Sequence, residues 1–203
     1  AKSDDGAAVH IATKSVADVA VPVANEGVGS GAEVKFGIRP EHLVLCAAAW
    51  RAMAEGAPDN DLSELALAFS GTAERVTETQ AQGTAFIGTV RATWSDAALA
   101  SLPDDCAYPV AVGAVAAAHG GPERATLTGY AHAFVANLVS AAVRLVPLGQ
   151  TDGQRITAQL EAAVDAAVAR AGVTALDDLA SATLASDIAA MQHETQYTRL
   201  FRS

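Results

Sequence analysis

Cysteine, aromatic residues and positive charge are all scarce in this chain. Its 203 residues include only Cys46 and Cys106, and neither sits in a CxxC pair. No disulfide framework can be drawn from them, and both are expected to be buried free thiols in a reducing compartment. Aromatic residues make up 5% of a chain that is 51% hydrophobic, much of it alanine. The core must therefore be built from small side chains that let helices approach closely. Lys and Arg number 13 against 23 Asp and Glu, a formal net charge of -10. Such a surface lacks the basic patch that nucleic acid or an anionic membrane requires.

Long apolar runs are missing too. The most hydrophobic stretch, residues 130–146, is interrupted by His132, Asn137, Ser140 and Arg144, which makes a poor membrane span. The opening "AKSDDGAAVH" has no apolar segment of the kind a signal peptide needs. A cytoplasmic protein is expected.

Catalytic signatures are equally absent. There is no GxxxxGK[ST] loop and no GxSxG. His10, His42, His119, His132 and His193 form no HxxxH or HExxH pair. "MQHETQY" begins like HExxH, but Tyr197 stands where the second histidine would be. His193 with Glu194 is the pair to test first if a metal were found. Glu74, Arg75, Glu78 and Gln82 share a helical stretch and read as a solvated face with intrahelical pairs. Nothing here points to an enzyme.

What is present divides into two unlike parts, with a boundary near residues 40–43. Residues 8–11, 19–23 and 33–38 have the alternating or β-branched character of strands, with "NEGVGSG" as a turn-rich link. From Pro40 onward the period is helical. Helices are expected over 41–55, from Asp61 (a capping box with Glu64) through Phe69, and over 74–94. A short one capped by Ser95 follows, then 107–119 and a long helix from 122 or 123 to Val146. The fold class is therefore mainly α, a helical bundle behind a short β-rich N-terminal piece.

The stretch "VRLVPLGQTDGQR" ends the long helix. Pro147 cannot continue it, and Thr151 with Gln154 fits a capping box that would start the next one. Ile156, Leu160, Val164 and Val168 then form a regular apolar stripe up to Gly172. Because Asp152 competes for the positive helix end, this corner reads as a helix–helix turn rather than a phosphate cradle. Just before it, Asn137, Ser140 and Arg144 lie on one stripe of an apolar helix. A charge there needs a partner or water, and an internal network, a lined channel and a subunit contact all remain open.

Several stretches carry a resemblance that composition does not. "CAAAWRAM", "LSELALAF", "AERVTETQAQGTAF", "AYPVAVGAVAAAHG", "YAHAFVANLVSAAVRLVPLGQTDGQR" and "SATLASDIAAMQHETQYTRLFRS" are similar, in order, to segments of the urease accessory protein UreF family. The likeness runs from about Leu43 to Ser203. It implies an all-α, dimeric, non-enzymatic chaperone or scaffold of nickel insertion into apo-urease, bridging the GTPase UreG and UreD (UreH). By that resemblance Arg144, Pro147, Gly149, Gln150, Gly153 and Gln154 form a structural corner or interface. His193, Glu194, Tyr197, Arg199, Leu200, Phe201 and Arg202 belong to a partner-binding tail. No cofactor is expected on this chain: the complex handles nickel, and GTP belongs to UreG.

The match is not uniform. The "FPxGxFxYSxGLE"-like and "HGSGRxD"-like stretches usual near the start of that family do not occur. Instead residues 7–43, with "AEVKFGIRPEHLVL", resemble a TOBE-like fragment of sugar ABC transporter ATPases, without Walker A or the ABC signature. The expected layout is thus a β-rich TOBE-like segment over 1–42 and a UreF-like α-helical domain over 43–203. On this reading binding to UreD/UreH is retained and binding to UreG weakened. The alternative is a regulatory or ligand-binding module with the TOBE-like segment as its working part.

Overall fold

The computed structural model describes residues 7–13, 16–23, 33–36, 40–95, 97–145, 149–180 and 184–196. They are mainly helical, as the periodicity predicts. The helices are α1 (Pro40–Ala54), α2 (Asp61–Ala68), α3 (Ala73–Thr93), α4 (Tyr108–Ala118), α5 (Glu123–Leu145), α6 (Gln150–Gln159), α7 (Glu161–Ala171) and α8 (Leu184–Glu194). Ahead of them the backbone pairs as β1 (Ala7–Thr13), antiparallel to β2 (Val16–Val23) and parallel to β3 (Glu33–Phe36), in the order β2-β1-β3. The helices, not this short sheet, set the fold class.

Helix α1 is apolar on most sides, and the bundle is built around it. Leu43, Val44, Cys46 and Ala47 face Leu127, Ala131 and Val135 of α5 and the stripe Ile156, Leu160, Val164 and Val168. Leu45, Ala49 and Met53 face Leu62 of α2, Ile87 and Val90 of α3, and Val110, Ala111 and Ala114 of α4. A helix hydrophobic all round belongs between two layers, which is where α1 sits. It opens at Pro40, where the missing N–H costs nothing. The carboxyl of Glu41 is fully buried in its first turn, at the positive end of the helix.

The small residues explain how tightly the layers close. A Cβ added at Gly113 of α4 would lie 2.1 Å from the Cys46 carbonyl oxygen of α1. One added at Gly83 of α3 would lie 1.8 Å from the Cys106 carbonyl oxygen. Polar ties finish the frame. Arg51 at the end of α1 donates to Glu123 Oε1 of α5 at 2.5 Å and to the Gly172 carbonyl after α7 at 2.7 Å. The Ala107 N–H, at the start of α4, donates to the buried Ser63 Oγ of α2 at 2.7 Å.

Local chemistry corrects three expectations. Neither predicted capping box forms. Helix α2 has Asn60 as its N-cap without a side-chain bond, and the Asp61 N–H donates to Asp59 Oδ1 at 3.0 Å. Helix α6 starts from Gly149, so Thr151 lies inside its first turn rather than capping it. A side-chain cap does form at α3, where Thr72 Oγ1 accepts from the Arg75 N–H. The stripe from Ile156 to Val168 is buried throughout, but its helix is broken at Leu160 between α6 and α7.

Candidate partner-binding site

The corner gathers the residues that the sequence singles out. His132, Ser140, Arg144, Gln150, Gly153 and Gln154 line one surface depression of about 590 Å³ between α5 and α6. Arg144 is exposed, and its partner is on its own helix. Nε donates to the Ser140 carbonyl at 3.2 Å and an Nη to Ser140 Oγ at 3.3 Å. Asn137 and Ser140 are exposed as well. The polar stripe of α5 therefore faces outward, which excludes the internal network among the three readings. Gly153 is buried because α6 leans on α5: a Cβ there would stand 3.0 Å from Val143 Cγ2. Gly149 is the N-cap, with its carbonyl accepting from Asp152 and Gly153, and Asp152 pairs with Arg155 at 3.0 Å. Pro147 lies outside the described residues.

The tail begins with α8, which turns a polar side inward. His193 Nδ1 lies 2.8 Å from Glu74 Oε2, and the Glu74 N–H donates to Glu194 Oε1 at 3.2 Å. Glu74 is the second residue of α3, so Glu194 takes one of the unpaired N–H groups there and puts negative charge where the helix dipole favours it. Asp187 sits against Gly71. Ile188 and Met191, one turn apart, are 46% and 49% exposed. His193 and Glu194 thus hold α8 to α3 while Ile188 and Met191 face out. Tyr197, Arg199, Leu200, Phe201 and Arg202 lie outside the described residues.

Between α3, α4 and α5 runs a groove of about 560 Å³ that sequence reading did not find. Its walls include Phe86, Tyr108, Tyr130 and Phe134, all half-buried. Phe86 meets Tyr108 edge-on at 5.8 Å between ring centres, and Tyr108 lies 5.7 Å from Tyr130. Burial above all pushes the Tyr130 phenol up, so it remains a neutral hydrogen-bonding group. The polar rim carries His42, Arg75, Glu78 and Gln82. Gln82 Nε2 donates to Glu78 Oε1 at 3.1 Å, the intrahelical pairing expected of that face. The aromatic residues come from three helices, so no local periodicity could have shown them together.

Neither thiol is activated. Cys46 and Cys106 are free and buried. Burial, helped by the Glu123 charge, pushes the Cys46 thiol up to about 12. Burial raises Cys106 to about 11, against the opposing effect of a hydrogen bond with Ser63. Thiols so raised stay protonated near neutral pH. Among the described residues no three His, Cys, Asp or Glu side chains converge as a metal site, and no helix is long and apolar enough to cross a membrane.

Comparison with known proteins gives this geometry a context. The UreF family model matches residues 33–161. The chain is 53% identical over 166 residues to the urease accessory protein UreF of Rhodopseudomonas palustris strain BisB18, covering 79% of this chain and 69% of that protein. It is 54% identical to UreF of Bradyrhizobium diazoefficiens, over 70% of this chain and 61% of that one. Against UreF of Agrobacterium fabrum it is 46% identical, over 87% and 80% respectively. The family match begins inside the segment likened to a transporter ATPase, and nothing in these matches supports the TOBE-like reading.

Proposed function

Since this chain belongs to the UreF family of urease accessory proteins, we propose that it acts as a scaffold in urease maturation. In this reading it catalyses no reaction itself, and it helps deliver nickel to apo-urease by bridging UreD (UreH) and the GTPase UreG. Nickel is cargo of the complex, and GTP is bound by UreG. Homodimerisation and a cytoplasmic location belong to the same proposal.

The observation that carries it is the attachment of α8. A helix pinned by His193 and Glu194, with Ile188 and Met191 turned outward, is built to present a surface. Exposed apolar residues next to a polar anchor fit protein docking better than small-molecule chemistry. The corner, with Arg144, Gln150 and Gln154 at the surface, offers a second polar contact area.

The test is co-purification with UreD/UreH and UreG, with the size of the complex measured by light scattering. Deleting residues 192–203 should abolish capture of UreD/UreH while leaving the helical circular dichroism unchanged. Undiminished capture by the shortened chain would refute the proposal.

A further inference from the structure

The chain's sulfur atoms belong to Cys46, Cys106, Met53 and Met191. All but the last are shut in the core. Cys46 and Cys106 have no exposed surface, and Met53 is 7% exposed in the cluster of Leu45, Leu62, Ile87 and Val90. Burial also keeps both thiols protonated near neutral pH, whereas an oxidant attacks the thiolate. Met191 differs on both counts. It is 49% exposed on α8, and a thioether needs no loss of a proton before it reacts.

Its setting decides what oxidation does. Ile188, one turn before it, is 46% exposed, and His193 and Glu194, just after it, fix the helix to Glu74 of α3. Those ties run between nitrogen and oxygen atoms, so they do not depend on the thioether. Methionine sulfoxide is polar and carries an acceptor oxygen that a dry apolar contact excludes. Oxidation at this atom therefore leaves the bundle folded and spoils the outward face of α8.

We propose that Met191 is a modification site, the sulfur through which hydrogen peroxide acts on this protein. A lone pair of Sδ attacks one peroxide oxygen, an S–O bond forms and the O–O bond breaks. The departing hydroxide takes the proton of the transferred oxygen and leaves as water. Sulfur is oxidised by two electrons and the peroxide is reduced by two. The selectivity rests on the burial of the other sulfurs. Only its consequence, weaker capture of a partner, rests on the proposed function, which takes the outward face of α8 as a docking surface.

The experiment treats the full chain with hydrogen peroxide near neutral pH and follows its peptides by mass. Met191 should gain one oxygen about tenfold faster than Met53, because a core side chain meets the oxidant only when its surroundings open. In urea the two should react alike. Neither cysteine should change in the native protein, and helical circular dichroism should stay constant. Capture of UreD/UreH should fall about fivefold or more, the effect of forcing a polar group into an apolar contact. Methionine sulfoxide reductases should restore it, and Met191→Leu should keep capture constant through the same treatment. Met53 or a cysteine reacting as fast as Met191, or helicity lost when Met191 alone is oxidised, would overturn the proposal. Undiminished capture by the sulfoxide form would overturn its consequence. An untreated chain that captures no UreD/UreH would remove the scaffold function, while the modification site would still be decided by the peptide masses.

Discussion

Gly113 is the position where one methyl group should do the most damage. Its ideal Cβ would lie 2.1 Å from the Cys46 carbonyl oxygen, against about 3.4 Å for ordinary contact. Helix α4 would have to retreat by roughly 1.3 Å from α1. The obstructing atom is backbone, in the middle of a helix clamped on its far side by α5 and α7, so no rotamer change relieves it. Overpacking of this kind costs about 3 kcal/mol or more, offset by about 1 kcal/mol of improved helix propensity. Gly113→Ala is therefore expected to lose about 2–4 kcal/mol, or roughly 4–16 °C in Tm. The control is Gly129→Ala on the exposed side of α5, where nothing lies within 4 Å of the new methyl. It should gain about 0.5–1 kcal/mol. Urea unfolding followed by circular dichroism measures both. Two variants stabilised alike would refute the close approach of α1 and α4.

Other expectations follow from the ties between helices. Arg51→Met removes bonds to both α5 and the end of α7 and should cost about 1–2 kcal/mol, read as a lower urea midpoint at unchanged m. Ser63→Ala leaves the buried Ala107 N–H without its acceptor and should cost about 1–3 kcal/mol by the same assay. The thiols set an alkaline limit. Unfolded cysteines ionise near 9, whereas the native ones keep their protons until about 11 for Cys106 and about 12 for Cys46. The native state then holds more protons, so stability is flat below about pH 8 and falls above about pH 9. Cys46→Ala should flatten that fall, and an unchanged pH profile would count against the burial of its thiol. In the native state both cysteines should resist a thiol reagent at pH 8 and react fully in urea.

Much of the bundle is legible from periodicity and helix breakers. The stripe Ile156–Leu160–Val164–Val168 is buried as read, and α4 and α5 start and stop within about two residues of the pattern, as helix ends do. Caps were less legible, because several residues can serve the same N–H groups. Asp59 takes the Asp61 N–H, and Gly149 heads α6 without any side chain. The break at Leu160 leaves no trace in the pattern, since the stripe stays buried on both sides of it. Arg144 looked like a charge in apolar surroundings, yet linear sequence does not say which side of a helix is covered. Ser140, one turn earlier, and solvent satisfy it. The aromatic groove was invisible for a stronger reason: Phe86, Tyr108, Tyr130 and Phe134 meet only after three helices have packed.

Placing α1 between two layers has a consequence during synthesis on the ribosome. The layer made by α2, α3 and α4 is complete once Ala118 has emerged, and it can close over Leu45, Ala49 and Met53. The opposite face, with Leu43, Val44 and Ala47, has no full cover until Ala171 is made. At ~5–20 residues per second that interval lasts on the order of several seconds. Throughout it the nascent chain is a half-molecule with one sticky side, a natural client for holding chaperones.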